Sequence, residues 1–495
     1  MTMKKIIAGI ISAILLISAT ACAQETTDQA DQELAHGKWI EMAQRYPIKA
    51  VSHDQTARPD PKMLSEWWKS FNDEQLTQLI EWALQSNRDL ASARAKVTEA
   101  RAALGINKAA LLPWLDNTDY WYNTRTPVEE TGGAGKGIDI YRDIYRLGID
   151  ASWEIDIFGG KKQSVKAGVA SLEAQYALLH SAWVSLSAEV ALNYLTLRTL
   201  QERLQVAESN LVLQEETLEM LQSRVDAGLS DHLALSQAKY TLEQTRAEIP
   251  PIRKNIEETK NTLAVLTGRV PGSLDEMLDA ARPIPKFDPD MMIGIPANCI
   301  RQRPDIFAAE RQLAAQIARK KSAKADLWPK FYLLGSIGTE ALDTGSLFEG
   351  PNKAYSFGPK ITWPIFHGGA IRSNIKVQTA RQEQYLAAYE QTVLNAVAEV
   401  RNALTAGMEE RKRNEALKRG VDAAQAALEV ANDKYRNGLT DFNNVINAQR
   451  SLLMLSEARA VSDGQIASNT IRLFKALGGG WAPLGEEYEP EQTKK

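Results

Sequence analysis

Side chains that could carry out chemistry are scattered in this sequence. The five histidines form no His-Glu-x-x-His pair; they are His36, His53, His180, His232 and His367. The glycine-rich stretch "GGAGKG" at 132–137 lacks the spacing and the Lys-Ser/Thr ending of a phosphate-binding loop. There is also no Cys-x-x-Cys, and no two carboxylates have a reason to share a site. We therefore predict that the chain is not an enzyme and holds no metal and no cofactor.

The two cysteines have different contexts. Residues 1–21 have a secretory layout, in which two lysines precede an apolar run and small residues end it at "SATA". Cys22 follows directly, and "ATAC" resembles a bacterial lipobox except that Ala19 stands where leucine is usual. We expect palmitate and an anchor at Cys22; ordinary cleavage without a lipid is the alternative. We interpret Cys299 as a small buried hydrophobe.

Charge and hydropathy exclude nucleic acid as a partner and a transmembrane helix as an anchor. The 495 residues carry a formal net charge of -4, and charges of both signs are interspersed, so no basic stripe offers itself to nucleic acid. No stretch after the signal peptide reaches ~18 consecutive apolar residues, which excludes a transmembrane helix.

The chain repeats itself. "VDAGLSD" from Val225 returns 210 residues later as "YRNGLTD" from Tyr435. "NRDLASARAKV" from Asn87 is echoed by "RPDIFAAERQL" from Arg303, and "WEIDIFGG" is answered by "WPIFHGG". Because the landmarks keep one order, each half is predicted to be one structural unit of about two hundred residues.

Each half contributes a predicted β-hairpin. From Tyr145 to Ile157 apolar and polar residues alternate strictly, and a weaker alternation runs from Phe357 to Ile365. A run of this length exceeds a typical soluble strand and matches the ~9–11 residues that cross a bilayer. Nearby aromatic residues suit an interfacial girdle: Trp114, Tyr120, Trp121, Tyr122, Tyr141, Tyr145 and Trp328. A half-buried soluble sheet is the alternative.

Long helices follow each hairpin. Residues 160–225 contain no proline and could form ~100 Å of helix. The return segment from Leu235 to Leu266 places apolar residues at steps of three and four, as in a coiled coil, with a kink expected at Pro250 and Pro251. "VDAGLSD" is then the turn of a helical hairpin.

The two turns are predicted to have the same chemistry. Gly228 supplies a left-handed C-terminal cap, and Ser230 or Asp231 caps the next helix. Gly438, with Thr440 and Asp441, is expected to do the same.

Four strands per chain cannot close a transmembrane barrel, and an open edge cannot face lipid. A trimer would supply twelve strands around a water-filled lumen. We therefore predict an α+β membrane protein: a trimeric 12-stranded transmembrane β-barrel continuous with a long α-helical barrel.

Several long motifs resemble the TolC-like outer membrane factors, and most closely the NodT-type lipoproteins of resistance-nodulation-division (RND) efflux systems. They are "WWKSFNDEQLTQLIEWALQSNRDL", "RPDIFAAERQLAAQIARKKSAKADLWPKFYLLGSIG", "WPIFHGG" and "YRNGLTDFNNVINAQRSLL". The resemblance implies a homotrimeric exit duct in the outer membrane of a Gram-negative bacterium, with its helical barrel in the periplasm. The implied partners are outer-membrane lipid, a periplasmic adaptor and, through the adaptor, an inner-membrane RND pump.

The resemblance also assigns site residues. The tips that meet the adaptor correspond to Arg224, Gly228, Leu229, Ser230, Asn437, Gly438, Leu439 and Thr440. The family usually carries an acid where this chain has Asn447, and often one at Asn444, so the periplasmic aperture is expected to be less negative here. Asp441 is the nearest acidic candidate, and plain polar helix surface is the alternative for both asparagines.

Two other functions use the same sequence features. One keeps the fold but changes the cargo to secreted protein (type I secretion) or metal ions, and the other is a periplasmic coiled-coil scaffold. The favoured cargo is drugs or other small toxic compounds.

The predicted segments are 1–21 signal peptide, 22–66 N-terminal extension, 67–113 equatorial helices, 114–158 barrel hairpin, 159–268 helical hairpin, 269–302 linker, 303–328 helix, 329–367 barrel hairpin, 368–478 helical hairpin and 479–495 tail.

Overall fold

A computed structural model describes residues 64–128, 138–287 and 303–480. Four predicted features therefore lie outside the described residues: the signal peptide, Cys22 with its lipid, the "GGAGKG" loop and Cys299. They stay predictions, as does the division of the chain into functional segments.

The two halves of the chain form matching helices. A 3-10 helix at Trp67–Phe71 and α1 (Glu74–Ser86) come first. The helices α2 (Arg88–Ala109) and α6 (Pro304–Ala325) each have 22 residues, α3 (Gly160–Asp226) and α7 (Ala370–Arg436) each have 67, and α4 (His232–Leu266) and α8 (Phe442–Ala476) each have 35. A short helix, α5 (Asp275–Leu278), follows α4. The internal repeat predicted from the sequence is confirmed.

The helices pack along the seams that their apolar spacing predicts. In α4 the residues Leu235, Leu242, Ile249 and Ile256 are all buried, since steps of seven return a side chain to the same face. The helix continues through Pro250 and Pro251. In the part of the chain that the structure describes, no helix is both long and apolar enough to span a bilayer.

The strands form one antiparallel sheet in two hairpins. They are β1 (Trp114–Asn117), β2 (Tyr120–Val128), β3 (Ile138–Ile155), β4 (Lys330–Ala341) and β5 (Lys353–Thr362), and a 3-10 turn at Gly350–Asn352 precedes β5. Both β1 and β2 pair with the same side of β3, which pairs with β4 on its other side, and β4 pairs with β5. The sheet is thus four strands wide, as predicted, and within the described chain both its edges are unpaired.

The two faces of this sheet differ in chemistry. Opposite residues in the register share a face, and one face carries the exposed Ile149, Ile337 and Tyr355. The other face carries Arg146 and Asp150, whose Nη2 and Oδ1 atoms are 2.8 Å apart. An exposed apolar face opposite a charged face is the pattern of a wall between lipid and water.

A buried polar cluster joins the helices near their middle. Arg198 is fully buried and donates to the side chains of Gln75 and Gln201 and to the carbonyl of Ala280 (Nη1 to O, 2.9 Å). Its guanidinium lies 4.8 Å from the ring centroid of Tyr194. Both Nη atoms are hydrogen-bonded in this way, which offsets part of the cost of burying the guanidinium, whereas its Nε has no hydrogen-bond partner among the described residues.

Lys260 joins α4 to the segment around α5. Its ammonium lies 2.7 Å from carboxylate oxygens of both Glu257 and Asp279, and 3.3 Å from Asp275. Burial alone would lower the pKa of Lys260, but the hydrogen bonds that its ammonium donates to these carboxylates outweigh burial and raise it. The lysine is therefore a permanent cation that holds this segment.

Candidate functional site: the paired helix tips

The two helical hairpins end in turns with the same backbone geometry. Gly228 has φ 71° and Gly438 has φ 73°, the left-handed conformation predicted for both. The amide of Leu229 donates to the carbonyl of Arg224 at 2.7 Å, and that of Leu439 donates to the carbonyl of Lys434 at 2.8 Å. These bonds close the C-terminal turns of α3 and α7 in the Schellman pattern.

Backbone conformation, not packing, requires glycine at both turns. A Cβ added to Gly228 or Gly438 would meet no atom within 4 Å. A residue with a side chain is nevertheless strained at a positive φ. The space beside each glycine is open, so another protein could approach the backbone closely.

The caps of the two return helices differ, and one prediction is wrong. Asp231 accepts a hydrogen bond from the amide of Ala234 at 2.8 Å and caps α4 as expected. Asp441 makes no side-chain cap on α8. There the amide of Asn444 donates to the carbonyl of Asp441 at 3.1 Å, and the Asn444 side chain donates to Thr440 Oγ1 at 2.7 Å. The first turn of α8 therefore begins with a backbone hydrogen bond and no side-chain cap.

The predicted contact residues of both tips lie side by side. Arg224 of the first tip donates to the carbonyl of Arg436 in the second at 3.2 Å. Ser230 Oγ lies 3.3 Å from the hydroxyl of Tyr435. Leu229 and Leu439 are 69% and 74% exposed. The two turns therefore present one surface with two exposed leucines.

Beneath this surface the hairpins share an apolar core. The cluster draws on both: Leu221, Leu235, Leu428, Phe442 and Val445 are among its buried members. Because α3, α4, α7 and α8 all contribute, displacement of one hairpin must disturb the packing of the other.

The three aperture candidates lie on the first two turns of α8 or just before it. Asp441, Asn444 and Asn447 are exposed, and a spacing of three places them close to one face of the helix. Their side chains point away from the core described above. Their role at an aperture stays a prediction.

Two polar links between the hairpins were not predicted. Arg450 Nη2 in α8 donates to the hydroxyl of Tyr240 in α4 at 2.9 Å and lies 3.3 Å from Thr241 Oγ1. Gln449 Nε2 donates to Thr217 Oγ1 in α3 at 3.0 Å. In the sequence, such links are indicated only by a long polar side chain next to one of the apolar positions along which the helices pack. Among the described residues, no group of His, Cys, Asp or Glu is placed to hold a metal ion.

Comparison with known proteins defines the class. The chain is 31% identical over 441 residues to Nodulation protein T of Rhizobium leguminosarum bv. trifolii, covering 89% of this chain and 93% of that protein. It is 31% identical over 423 residues to the solvent efflux pump outer membrane protein SrpC of Pseudomonas putida, covering 83% and 87%. The solved structure of the outer-membrane channel OprN superposes with a TM-score of 0.81 at 32% identity, covering 88% of this chain and 98% of that chain.

The two long helical hairpins, the amphipathic sheet and these similarities together define the class of protein, which is an outer-membrane efflux channel. The family described as Outer membrane efflux protein matches residues 79–269 and 295–479. The chain belongs to that family, and its predicted resemblance to TolC-like and NodT-type proteins is confirmed.

Proposed function

We propose that this chain is the exit duct of a tripartite efflux system and that three copies build the duct. The observation that carries the proposal is the sheet with two unpaired edges and one apolar exposed face. An unpaired edge cannot face lipid, because each free backbone group would cost several kcal/mol. Pairing edge to edge in a ring of three gives twelve strands, whereas two copies give eight, too few for a water-filled lumen.

The barrel and the helices then form one passage. α2 and α6 lead into strands, and α3 and α7 begin directly after them, so a ring of strands continues into a ring of helices. The helices lie in the periplasm in this arrangement. We propose that the passage is passive and that the chain is no enzyme, because its sequence contains no metalloprotease or phosphate-binding motif.

The helix tips are the proposed contact with a periplasmic adaptor that joins the duct to an inner-membrane pump. Open space at Gly228 and Gly438 and the exposed Leu229 and Leu439 suit the close approach of helical tips from a partner. The name of the SrpC relative supports small toxic organic compounds as cargo. A lipid on Cys22 would add an anchor to the outer membrane.

The native mass of the solubilised mature protein, with bound detergent subtracted, tests this assembly. A trimer that conducts ions in a planar bilayer supports the duct. A stable monomer would leave four strands with unsatisfied edges and would refute both the barrel and the channel.

The adaptor contact has its own test. Gly438→Trp should abolish efflux-dependent resistance in cells that rely on this chain, while trimers remain in the membrane. Gly350→Trp, at an exposed glycine in the turn before β5 with open space beside it, is the control for bulk alone. Retained resistance in the Gly438 variant would contradict docking at the tips.

A further inference from the structure

Positive charge is concentrated where the helices meet the sheet. The seven residues nearest the strands in α2, α3, α6 and α7 are 103–109, 160–166, 319–325 and 370–376. They contain ten Lys or Arg residues and no Asp or Glu. The whole chain has a net charge of -4, so this is a local excess.

The opposite helix ends show no such excess. The seven residues nearest the tips in α3, α4, α7 and α8 are 220–226, 232–238, 430–436 and 442–448. They hold three Lys or Arg residues and two Asp residues. The cations are therefore a property of the sheet end and not of the helices in general.

Both repeats place cations at the same positions. Lys162 and Lys166 are the third and seventh residues of α3, and Arg372 and Lys376 are the third and seventh residues of α7. In the preceding helices, Lys108 and Lys324 are each the residue before the last. Two sequence-divergent halves thus keep the same pattern of charge.

The helix dipole opposes half of this pattern. α3 and α7 begin at the sheet end, and a helix N-terminus favours acids over cations by about 0.3–1 kcal/mol each. The helices α1, α2 and α6 follow that rule with Glu74, Asp89 and Asp305 in their first turns, but α3 and α7 have no acid there. The helices α4 and α8 also begin without an acid, so the missing acids are not unusual, but the helix dipole gives the cations of α3 and α7 no stabilisation.

The cations lie just beyond the apolar face of the sheet. That face ends at the exposed Ile157 before α3 and at the exposed Ile365 before α7. At 1.5 Å per residue, the third and seventh positions of a helix lie about 3 and 9 Å from its start. The headgroup layer of a bilayer is roughly 5–7 Å thick on each side of the hydrocarbon, so these positions fall within or beside it.

Two tryptophans lie near these cations, where the sheet meets the helices. Trp153 Nε1 donates to the carbonyl of Leu111 at 2.8 Å, and Trp363 Nε1 donates to the carbonyl of Leu327 at 3.2 Å. Both rings are exposed and lie at equivalent positions of the two repeats. Tryptophan is enriched at the membrane–water interface, where its ring meets lipid and its N–H meets a polar group.

We propose that Lys162, Lys166, Arg372 and Lys376 bind the phosphate groups of anionic phospholipids in the leaflet next to the helices. All four side chains are exposed, whereas Lys161 beside them is engaged with Glu154 (3.2 Å) and the carbonyl of Ala110 (2.8 Å). Lys and Arg pair well with phosphate, and each cation near an anionic surface adds to binding. This inference rests on the proposed insertion of the sheet in the outer membrane.

The test compares full-length proteins purified in neutral detergent and stripped of lipid. Phosphatidylglycerol or phosphatidylcholine is added, and bound lipids are counted by native mass spectrometry. The test variant replaces the four cations by glutamine: Lys162→Gln, Lys166→Gln, Arg372→Gln and Lys376→Gln. The control variant removes four exposed cations from the middle and far part of α7: Arg401→Gln, Arg411→Gln, Lys418→Gln and Arg419→Gln. Both variants change the charge equally.

The wild type and the control should prefer phosphatidylglycerol, and the test variant should lose that preference by about tenfold or more. An unchanged preference would overturn the proposal. A changed ion selectivity with unchanged lipid binding would also overturn it, because the cations would then face the lumen. If the fourfold variant does not assemble, each pair of substitutions is tested alone and should lose about half the effect.

Channel activity of the wild type separates this inference from the proposed function. Failure of the wild type to conduct would refute the duct. Conduction together with unchanged lipid preference in the variants would refute only the lipid contact.

Discussion

The guanidinium of Arg224 lies 5.0 Å from the ring centroid of Tyr435, although the two residues belong to different halves of the chain. Tyr435 is 7% exposed and its ring also contacts Phe442 at 5.3 Å between centroids. This ring joins the first hairpin tip to the second, together with the hydrogen bond from Arg224 to the carbonyl of Arg436. Because these contacts lie within the chain, they set the relative position of the two tips before any partner binds. Both tips belong to the proposed adaptor contact.

Loss of this contact should loosen both tips together. Arg224→Gln and Tyr435→Leu should each raise amide hydrogen exchange in residues 224–231 and 434–441. The double variant should show a coupling of about 0.5–2 kcal/mol, the range for a partly desolvated cation–π pair. Tyr435→Phe, which keeps the ring and loses the contact with Ser230, is the control. Strictly additive effects would show that the ring does not join the tips.

Alanine should have opposite effects at different glycines. Gly228→Ala and Gly438→Ala should each destabilise their turn by about 1–2 kcal/mol, because the positive φ disfavours a Cβ. Gly407→Ala, in the middle of α7 with nothing within 4 Å, should stabilise its helix by about 0.5–1 kcal/mol. Hydrogen exchange of the local amides measures both. Equal effects at all three positions would contradict the conformational explanation.

The two return helices should respond differently to loss of the aspartate before them. Asp231→Ala removes the cap on the amide of Ala234 and should destabilise the first turn of α4 by about 1 kcal/mol. Asp441→Ala should leave the first turn of α8 nearly unchanged, because that side chain makes no cap. Protection of the amides at positions 233–235 and 443–445 is the measurement. A loss of similar size in both helices would be inconsistent with the observed caps.

How far the sequence predicts this molecule depends on the kind of interaction. Hydrophobic periodicity, turn residues and the internal repeat can all be recognised in the sequence. The long helices, the four strand positions and the left-handed Gly228 and Gly438 are therefore predicted from it. The difference between Asp231, which caps α4, and Asp441, which does not cap α8, could not be predicted from the sequence. An aspartate can bond to nearby backbone or side chains, and three-dimensional geometry decides between them.

Contacts between the repeats were also beyond sequence reasoning. Arg450 meets Tyr240, and Gln449 meets Thr217, through the packing of helices far apart in the chain. Taken alone, each of these residues is predicted to be an ordinary polar residue on a helix surface. Only the register between the two hairpins, which many apolar contacts set together, turns them into partners.

The link between Arg450 and Tyr240 should resist opening of the helical end. Arg450→Gln and Tyr240→Phe each remove the hydrogen bond between Arg450 and Tyr240, and Tyr240→Phe leaves the contact of Arg450 with Thr241. If the duct dilates by separation of these helices, both variants should conduct more than the wild type in a planar bilayer. Arg419→Gln, an exposed substitution in α7, is the control. Conductance equal to that of the wild type would show that these helices do not separate.

The buried Tyr194 predicts how stability depends on alkaline pH. Its side chain is fully buried, and its hydroxyl donates to Asp73 Oδ2 at 2.7 Å. Burial, with a further contribution from the hydrogen bond to Asp73, raises the pKa of Tyr194 to about 12. In the unfolded chain a tyrosine titrates near pH 10. Because the folded state holds the proton more tightly, this contribution to stability is fully present below about pH 10 and is lost as the pH rises toward 12.

Tyr194→Phe should therefore change the pH profile as well as the stability. At neutral pH the variant should be less stable by about 1 kcal/mol, because the hydrogen bond to Asp73 is gone. Between pH 10 and 12 the wild type should lose roughly 2 kcal/mol that the variant does not lose, so the gap should close or reverse. Thermal unfolding of both proteins at a series of pH values measures this, since other titrating groups cancel in the difference. A constant gap up to pH 12 would mean that the Tyr194 hydroxyl is not held in the folded state as its burial requires.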